Sequence, residues 1–277
     1  MRATKTTRKA SSLALGALLL LGLVGCGDDD GAAPLDDAGR PDVDAGPAPD
    51  AGPAVDPQTL AYLRADLADE LVLEVDAAEG AGPTEAVLAD FMSSLGAIVD
   101  KPGGIRVVES DVLPPRGEAP WTLDELRTLG VERFDGAGPA TLQLLYVDGR
   151  FRVDGVLGVA LSRRSLVVFR ETVQAVCEGR GGLLGADAAC RVAEGTVLLH
   201  ETGHVLGLVN AGLPMQSDHE DPEHPGHDVD PNCVMYWAYE SGDGVGGALD
   251  VLGGGSEPEP LQFCEASLAD LATAAGR

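Results

Sequence analysis

The chain has 277 residues, with 45 acidic against 19 basic side chains and a formal charge of −26. Such an excess of acid excludes nucleic acid as an expected partner, because a phosphate backbone would be repelled. The length allows one or two domains, and the two ends differ enough in composition from the middle to be read separately.

Arg2, Lys5, Arg8 and Lys9 make a basic start, and Leu13 to Val24 is an apolar run too short to span a bilayer comfortably, which reads as an export signal. The run ends in Leu23-Val24-Gly25-Cys26, which resembles the bacterial lipoprotein box. The resemblance implies that residues 1–25 are a signal peptide and that Cys26 carries a lipid, so the chain is exported and anchored to a bacterial membrane on its periplasmic or cell-surface face. Residues 26–57 then follow as an acidic Asp/Ala/Gly/Pro tether without an aromatic residue, unable to bury enough apolar area to offset the cost of ordering. Residues 58–277 remain for one folded domain.

Elements alternate through that domain. "ELVLEVDAA" from Glu70 to Ala78 has the β-branched alternation of a strand, and Pro83 to Val99 has a 3.6-residue apolar period. "GIRVVES" reads as a strand. A helix is expected from Thr122, whose Glu125 three residues on completes a capping box, to about Leu129. "TLQLLYVDG", "VLGVAL" and "SLVVFRETV" read as three more strands. This order argues an α/β sheet with a crossover helix. A long helix is expected from a cap at Asp187 to a glycine stop at Gly207. A polar loop rich in histidine, a Gly-rich stretch from Gly242 to Gly255 and a short helix around Leu261 to Ala274 complete the chain.

Four cysteines are left after Cys26: Cys177, Cys190, Cys233 and Cys264. An even number in an exported chain favours two disulfides. Three pairings are possible, and local spacing favours Cys177 with Cys190 and Cys233 with Cys264.

The chemistry sits in "LHETGHVLG", Leu199 to Gly207. His200 and His204 are one helical turn apart on one face, so both can aim a ring nitrogen at one ion. Glu201 lies beside His200 around the helix and reaches a water held there, which makes it the candidate general base. HExxH arises by chance on the order of once per hundred chains of this length, so its context matters. That context includes all five histidines of the chain, gathered between His200 and His227.

The stretch matches the first eight positions of the metzincin motif HExxHxxGxxH, and "CVMYW" around Met235 resembles the Met-turn of those zinc endopeptidases. The third-histidine position of the motif is occupied by Asn210, a poor ligand. In one branch, the archaemetzincins, the chain continues from its third histidine as H-C-x4-C-x-M. His227, Cys233 and Met235 fall at those offsets, with Asp228 in place of the first cysteine. The resemblance implies a metzincin-like α/β (α+β) fold: a twisted mixed sheet with a crossover helix, a central active-site helix, the Met-turn and a C-terminal helix. It also implies one catalytic zinc ion on His200, His204 and a third ligand, with Met235 as an apolar floor and a peptide or protein as substrate. Measured back from Met235, the third ligand is His227, with His219 as the alternative and Asn210 behind both; His224 is expected to be a solvated loop residue.

Two functions follow from these residues: a zinc-dependent endopeptidase in which Glu201 activates water, and a catalytically inert zinc-containing surface module, which the loss of histidine at Asn210 suggests.

Overall fold

The computed structural model describes residues 54–136, 138–178, 185–252 and 259–277; the expected signal segment, Cys26 and most of the tether lie outside them. The first helix, α1 (Pro57–Leu63), starts with proline in its first turn and is capped by Asp56, whose carboxylate accepts the Gln58 N–H at 2.7 Å. Seven residues carry too few turns to show a period, so sequence reading did not anticipate it. Strand β1 (Glu70–Ala78) has the expected bounds, and α2 (Glu85–Ile98) is capped by Thr84. Then come β2 (Gly104–Leu113) and α3 (Leu123–Arg133), where the Thr122–Glu125 capping box is complete.

Three further strands, β3 (Thr141–Val147), β4 (Gly158–Ala160) and β5 (Ser165–Phe169), complete one five-stranded sheet in the order β2-β1-β3-β5-β4. The first four strands in that order are mutually parallel, and β4 runs antiparallel to β5 at the edge. The fold is thus mixed α/β, as expected from the alternation of strands and helices. A sheet that is mostly parallel must be covered on both faces. One face packs on α2 and the long helix α5 (Ala186–Leu206) through a core that includes Leu73, Leu144, Val168, Val197 and Leu198. The other packs on α3 through Leu126, Leu129, Leu145, Val167 and Phe169.

The segment from Ser165 to Val173 is a strand only to Phe169. It continues as α4 (Arg170–Cys177), which packs on α5 with the buried Arg170–Glu194 ion pair between them. The expected cap at Asp187 is corrected too: Gly185 precedes the helix and Asp187 lies in its first turn, where a carboxylate also suits the helix dipole. The Gly-rich stretch is helical from Gly242 to Leu252 (α6). Its glycines weaken helix propensity, but Val245 and Leu249, four apart, are buried, and a Cβ at Gly244 would strike the carbonyl of Ala238. Close packing therefore overrides composition. The terminal helix α7 (Glu265–Ala275) starts later than expected.

Two disulfides follow the locally spaced pairing. Cys177–Cys190 ties the end of α4 to the first turns of α5. Cys233–Cys264 ties the segment before Met235 to the start of α7. Among the described residues, no helix is long and apolar enough to cross a membrane.

Candidate metal centre

Helix α5 carries the HETGHVLG stretch, and its burial explains the residue types around the histidines. Gly203 faces the Met235 side chain so closely that an added Cβ would collide with its sulfur. Gly158 of β4 plays the same part on the other side: a Cβ there would come within 2.8 Å of both Glu201 Cγ and Val197 Cγ1. Glycine at these two positions lets the turn around Met235 and the edge strand press on the ligand helix. The helix ends at Gly207, in the left-handed region at φ 83°. Arg163 crosses that end, donating from Nη1 to the carbonyls of His204 at 3.0 Å and Val205 at 3.3 Å, and from Nη2 to Ala211. Its charge sits where the helix dipole favours a cation.

Three imidazoles and one carboxylate converge beside this helix. Ligand atoms of His200, His204, His227 and Glu240 all lie within 4.8 Å of one another. His204 Nε2 is 3.1 Å from His200 Nε2, and Glu240 Oε1 is 3.0 Å from His227 Nε2 and 3.7 Å from His204 Nε2. Around a tetrahedral ion with bonds of ~2.0–2.1 Å, ligand atoms stand about 3.3 Å apart, so the set fits such an ion.

The protonation states agree. His200 is fully buried, and its Nδ1 lies 2.7 Å from the carbonyl of Val234. Donation to that carbonyl leaves the lone pair on Nε2, facing the cluster. His204 is held neutral, with its pKa lowered to about 3 by burial and then by the neighbouring His200 and His227. A neutral ring is the form that binds a metal. Both ring nitrogens of His227 are buried without a hydrogen-bond partner, for Nε2 meets Glu240 at contact distance without hydrogen-bond geometry. Two Nε2 atoms 3.1 Å apart, with an orphaned buried nitrogen beside them, can turn their lone pairs to a cation between them.

Glu201 is buried and outside this ligand set. Burial pushes its carboxyl well above the ordinary range, and the Glu240 charge adds to the shift, against one hydrogen bond from the Ala160 N–H. The cleft it shares with His204, His227 and Glu240 has a volume of about 690 Å³ and runs along β4. Val159 of β4 faces Val167 of β5, and the residues flanking β4 bond β5 as well, Phe169 N–H to the Leu157 carbonyl and Leu161 N–H to the Ser165 carbonyl, both at 2.9 Å. Gly158 and Ala160 therefore turn theirs outwards, to the cleft.

Of the three positions ranked for the third ligand, His227 is the one brought to His200 and His204. Asn210, at φ 61°, donates to Glu220 at 3.0 Å on the surface. His219 is buried with Nδ1 2.6 Å from Asp228 Oδ2 and Nε2 2.9 Å from Asp270 Oδ2. With a carboxylate on each nitrogen it is occupied away from the cluster. His224, expected to be solvated, is half-buried and stacked on Trp237 with ring centroids 4.1 Å apart. Trp121 is core, and the Tyr239 hydroxyl donates to the Pro231 carbonyl at 2.6 Å. Sequence reading missed Glu240. Its only signal is an acid five residues after Met235, which counts for little in a chain with 45 acids.

The Asp228–His219–Asp270 triad ties the loop bearing His227 to α7, and it titrates. Burial opposes a charge on His219, but hydrogen bonds to Asp270 and Asp228 outweigh it and raise its pKa. A raised folded-state pKa stabilises fully below the unfolded value of about 6.5, and that contribution disappears as pH climbs through the folded value. Wild type should therefore exceed a His219→Gln variant in Tm most near pH 5–6, with the gap narrowing towards alkaline pH. A gap independent of pH would show that His219 is neutral in the fold.

No protein-family model and no curated protein sequence matches the chain. The solved structures include one similar to it, the crystal structure of archaemetzincin from Methanopyrus kandleri, at 19% identity over 76% of this chain and 98% of that one, with a TM-score of 0.48.

Proposed function

We propose that this chain is a zinc-dependent endopeptidase in which His200, His204 and His227 hold the ion and Glu201 is the general base. The observation that carries this reading is Glu201: a buried carboxyl beside the cluster but outside its ligand set, in a cleft shared with an edge strand. A closed structural site has no use for such a group. Zinc bound at the three imidazoles would acidify a water and polarise the scissile carbonyl. Gly158 offers its outward N–H and carbonyl, and Ala160 its carbonyl, to an extended peptide, which adds to the sheet edge beside β4, while the Ala160 N–H is held by Glu201. Glu201 takes the proton of the attacking water and returns it to the departing amide nitrogen. Its raised pKa suits both transfers, since a carboxyl nearer neutrality can give back the proton it accepts. Met235, fully buried under Gly203, forms an apolar floor that keeps α5 and the His227 loop in register.

The domain is placed at a bacterial membrane by a lipid on Cys26, with the tether carrying it clear of the surface. The support is the Leu23–Cys26 box and the composition of residues 26–57, and partition of the mature chain with membranes is the check.

Glu240 favours a second reading. Its carboxylate stands where the fourth ligand of a tetrahedral site would be, and four protein ligands make an inert structural centre. Glu240→Ala separates the two. The peptidase reading expects zinc affinity to change by no more than the ~10–100-fold of a supporting group, with peptide turnover kept. If Glu240→Ala releases the ion as completely as His204→Ala does, and wild type cuts no peptide, the inert module is correct.

A further inference from the structure

The cleft does not end at β4. At Leu161 and Ser162, where β4 turns into β5, it meets a second pocket of about 350 Å³ that also lies against α3. Val131 and Phe134 of the α3 region give this pocket an apolar wall, and Arg127 and Arg164 stand at it. Val131 is 80% exposed, on a helix whose Leu126 and Leu129 are buried.

The two arginines are exceptions in this chain. Apart from Arg152, every other arginine and lysine among the described residues is bonded to a carboxylate or to backbone carbonyls, as Arg116 is to Glu125 and Lys101 to three carbonyls. The guanidiniums of Arg127 and Arg164 make no hydrogen bond or ion pair among those residues, and Arg164 lies over the Phe134 ring at 5.7 Å. No acid lines the pocket, although the chain has 45 of them. With acids outnumbering bases so heavily, two unpaired arginines converging on one acid-free pocket form a local reversal of charge.

From this we infer a specificity subsite in which Arg127 and Arg164 receive an acidic side chain of an extended substrate. The inference rests on the peptidase reading of the neighbouring cleft. A peptide lying along β4 past Gly158 passes Ser162 after about 13 Å at ~3.3 Å per residue, so the acidic residue lies about four positions from the bond beside Glu201. The apolar wall covers the methylenes of a glutamate while the two guanidiniums take its carboxylate. An acidic peptide would otherwise be repelled by the surrounding surface, so the pair acts as an admission point as well as an anchor.

The test measures binding, so that it does not depend on turnover. Full-length mature chain carrying Glu201→Gln and loaded with zinc is titrated with fluorescent, end-capped peptide libraries in which one position at a time is fixed as glutamate or glutamine. Capping removes the terminal carboxylate as a competing source of the same contact. Glutamate at one position should bind about five- to tenfold more tightly than glutamine, less so at high salt. The preference should vanish in an Arg127→Ala/Arg164→Ala variant that binds one equivalent of zinc as its parent does. Equal binding of the glutamate and glutamine libraries at every position, or a glutamate preference that survives both substitutions, overturns the subsite. Acid-selective binding by a chain whose wild-type form cuts none of these peptides would instead keep the subsite and reject the peptidase.

Discussion

Glu201→Gln should lose about a hundred- to ten-thousandfold in kcat/KM on any peptide that wild type cleaves, which is the range a positioned general base contributes. Glutamine has nearly the same shape, and its amide oxygen can keep the hydrogen bond from the Ala160 N–H. What it lacks is a site for the proton. The substitution should retain zinc, because the ligand nitrogens of His200, His204 and His227 do not depend on Glu201. It should also hold or raise Tm, since burial already disfavours the charged carboxyl and a neutral amide removes that penalty. Loss of activity without loss of metal or stability is a combination that a misfolded variant cannot produce. Unchanged turnover in Glu201→Gln would remove the proposed mechanism.

His200→Ala, His204→Ala and His227→Ala should each weaken zinc binding by more than the ~10–100-fold typical of a supporting residue. Each takes one nitrogen from a set whose members already stand at ligand spacing. His219→Ala is the counterpart within the same loop. Its ring is engaged by Asp228 and Asp270, so removal leaves two buried carboxylates without their shared partner and lowers stability. Zinc affinity measured on the refolded His219→Ala chain should fall no further than that of a supporting-residue variant. Equilibrium dialysis against a chelator of known affinity reads all four. If His219→Ala lost zinc like His204→Ala while His227→Ala kept it, the ligand set drawn from the fold would be wrong.

The parts of the fold legible in the sequence were those whose signal is local. The bounds of β1, the Thr122–Glu125 box and the Gly207 stop each depend on a few adjacent residues, and each is found where expected. The His200–Glu201–His204 arrangement was readable for the same reason, because one helical turn fixes it. His227 needed a longer ruler, the distance back from Met235, and that distance is fixed because Asp228 N–H bonds the Met235 carbonyl at 2.8 Å. What was missed is non-local. The helices α4 and α6 form on short or glycine-rich segments because α5 gives them something to pack on. The partners of His219 lie nine and fifty-one residues away along the chain. Glu240 reaches the histidines only because the turn after Met235 brings it back over α5.

The most direct measurement is a digest of a broad library of unlabelled peptides by the mature chain, first with one equivalent of zinc and then with the zinc stripped by a chelator, with products identified by mass spectrometry. The account predicts new termini at internal peptide bonds with zinc, their absence after stripping, and their return when zinc is restored. Zinc bound at one equivalent with no peptide bond cut between about pH 5 and 9, in wild type and in Glu240→Ala alike, would contradict it.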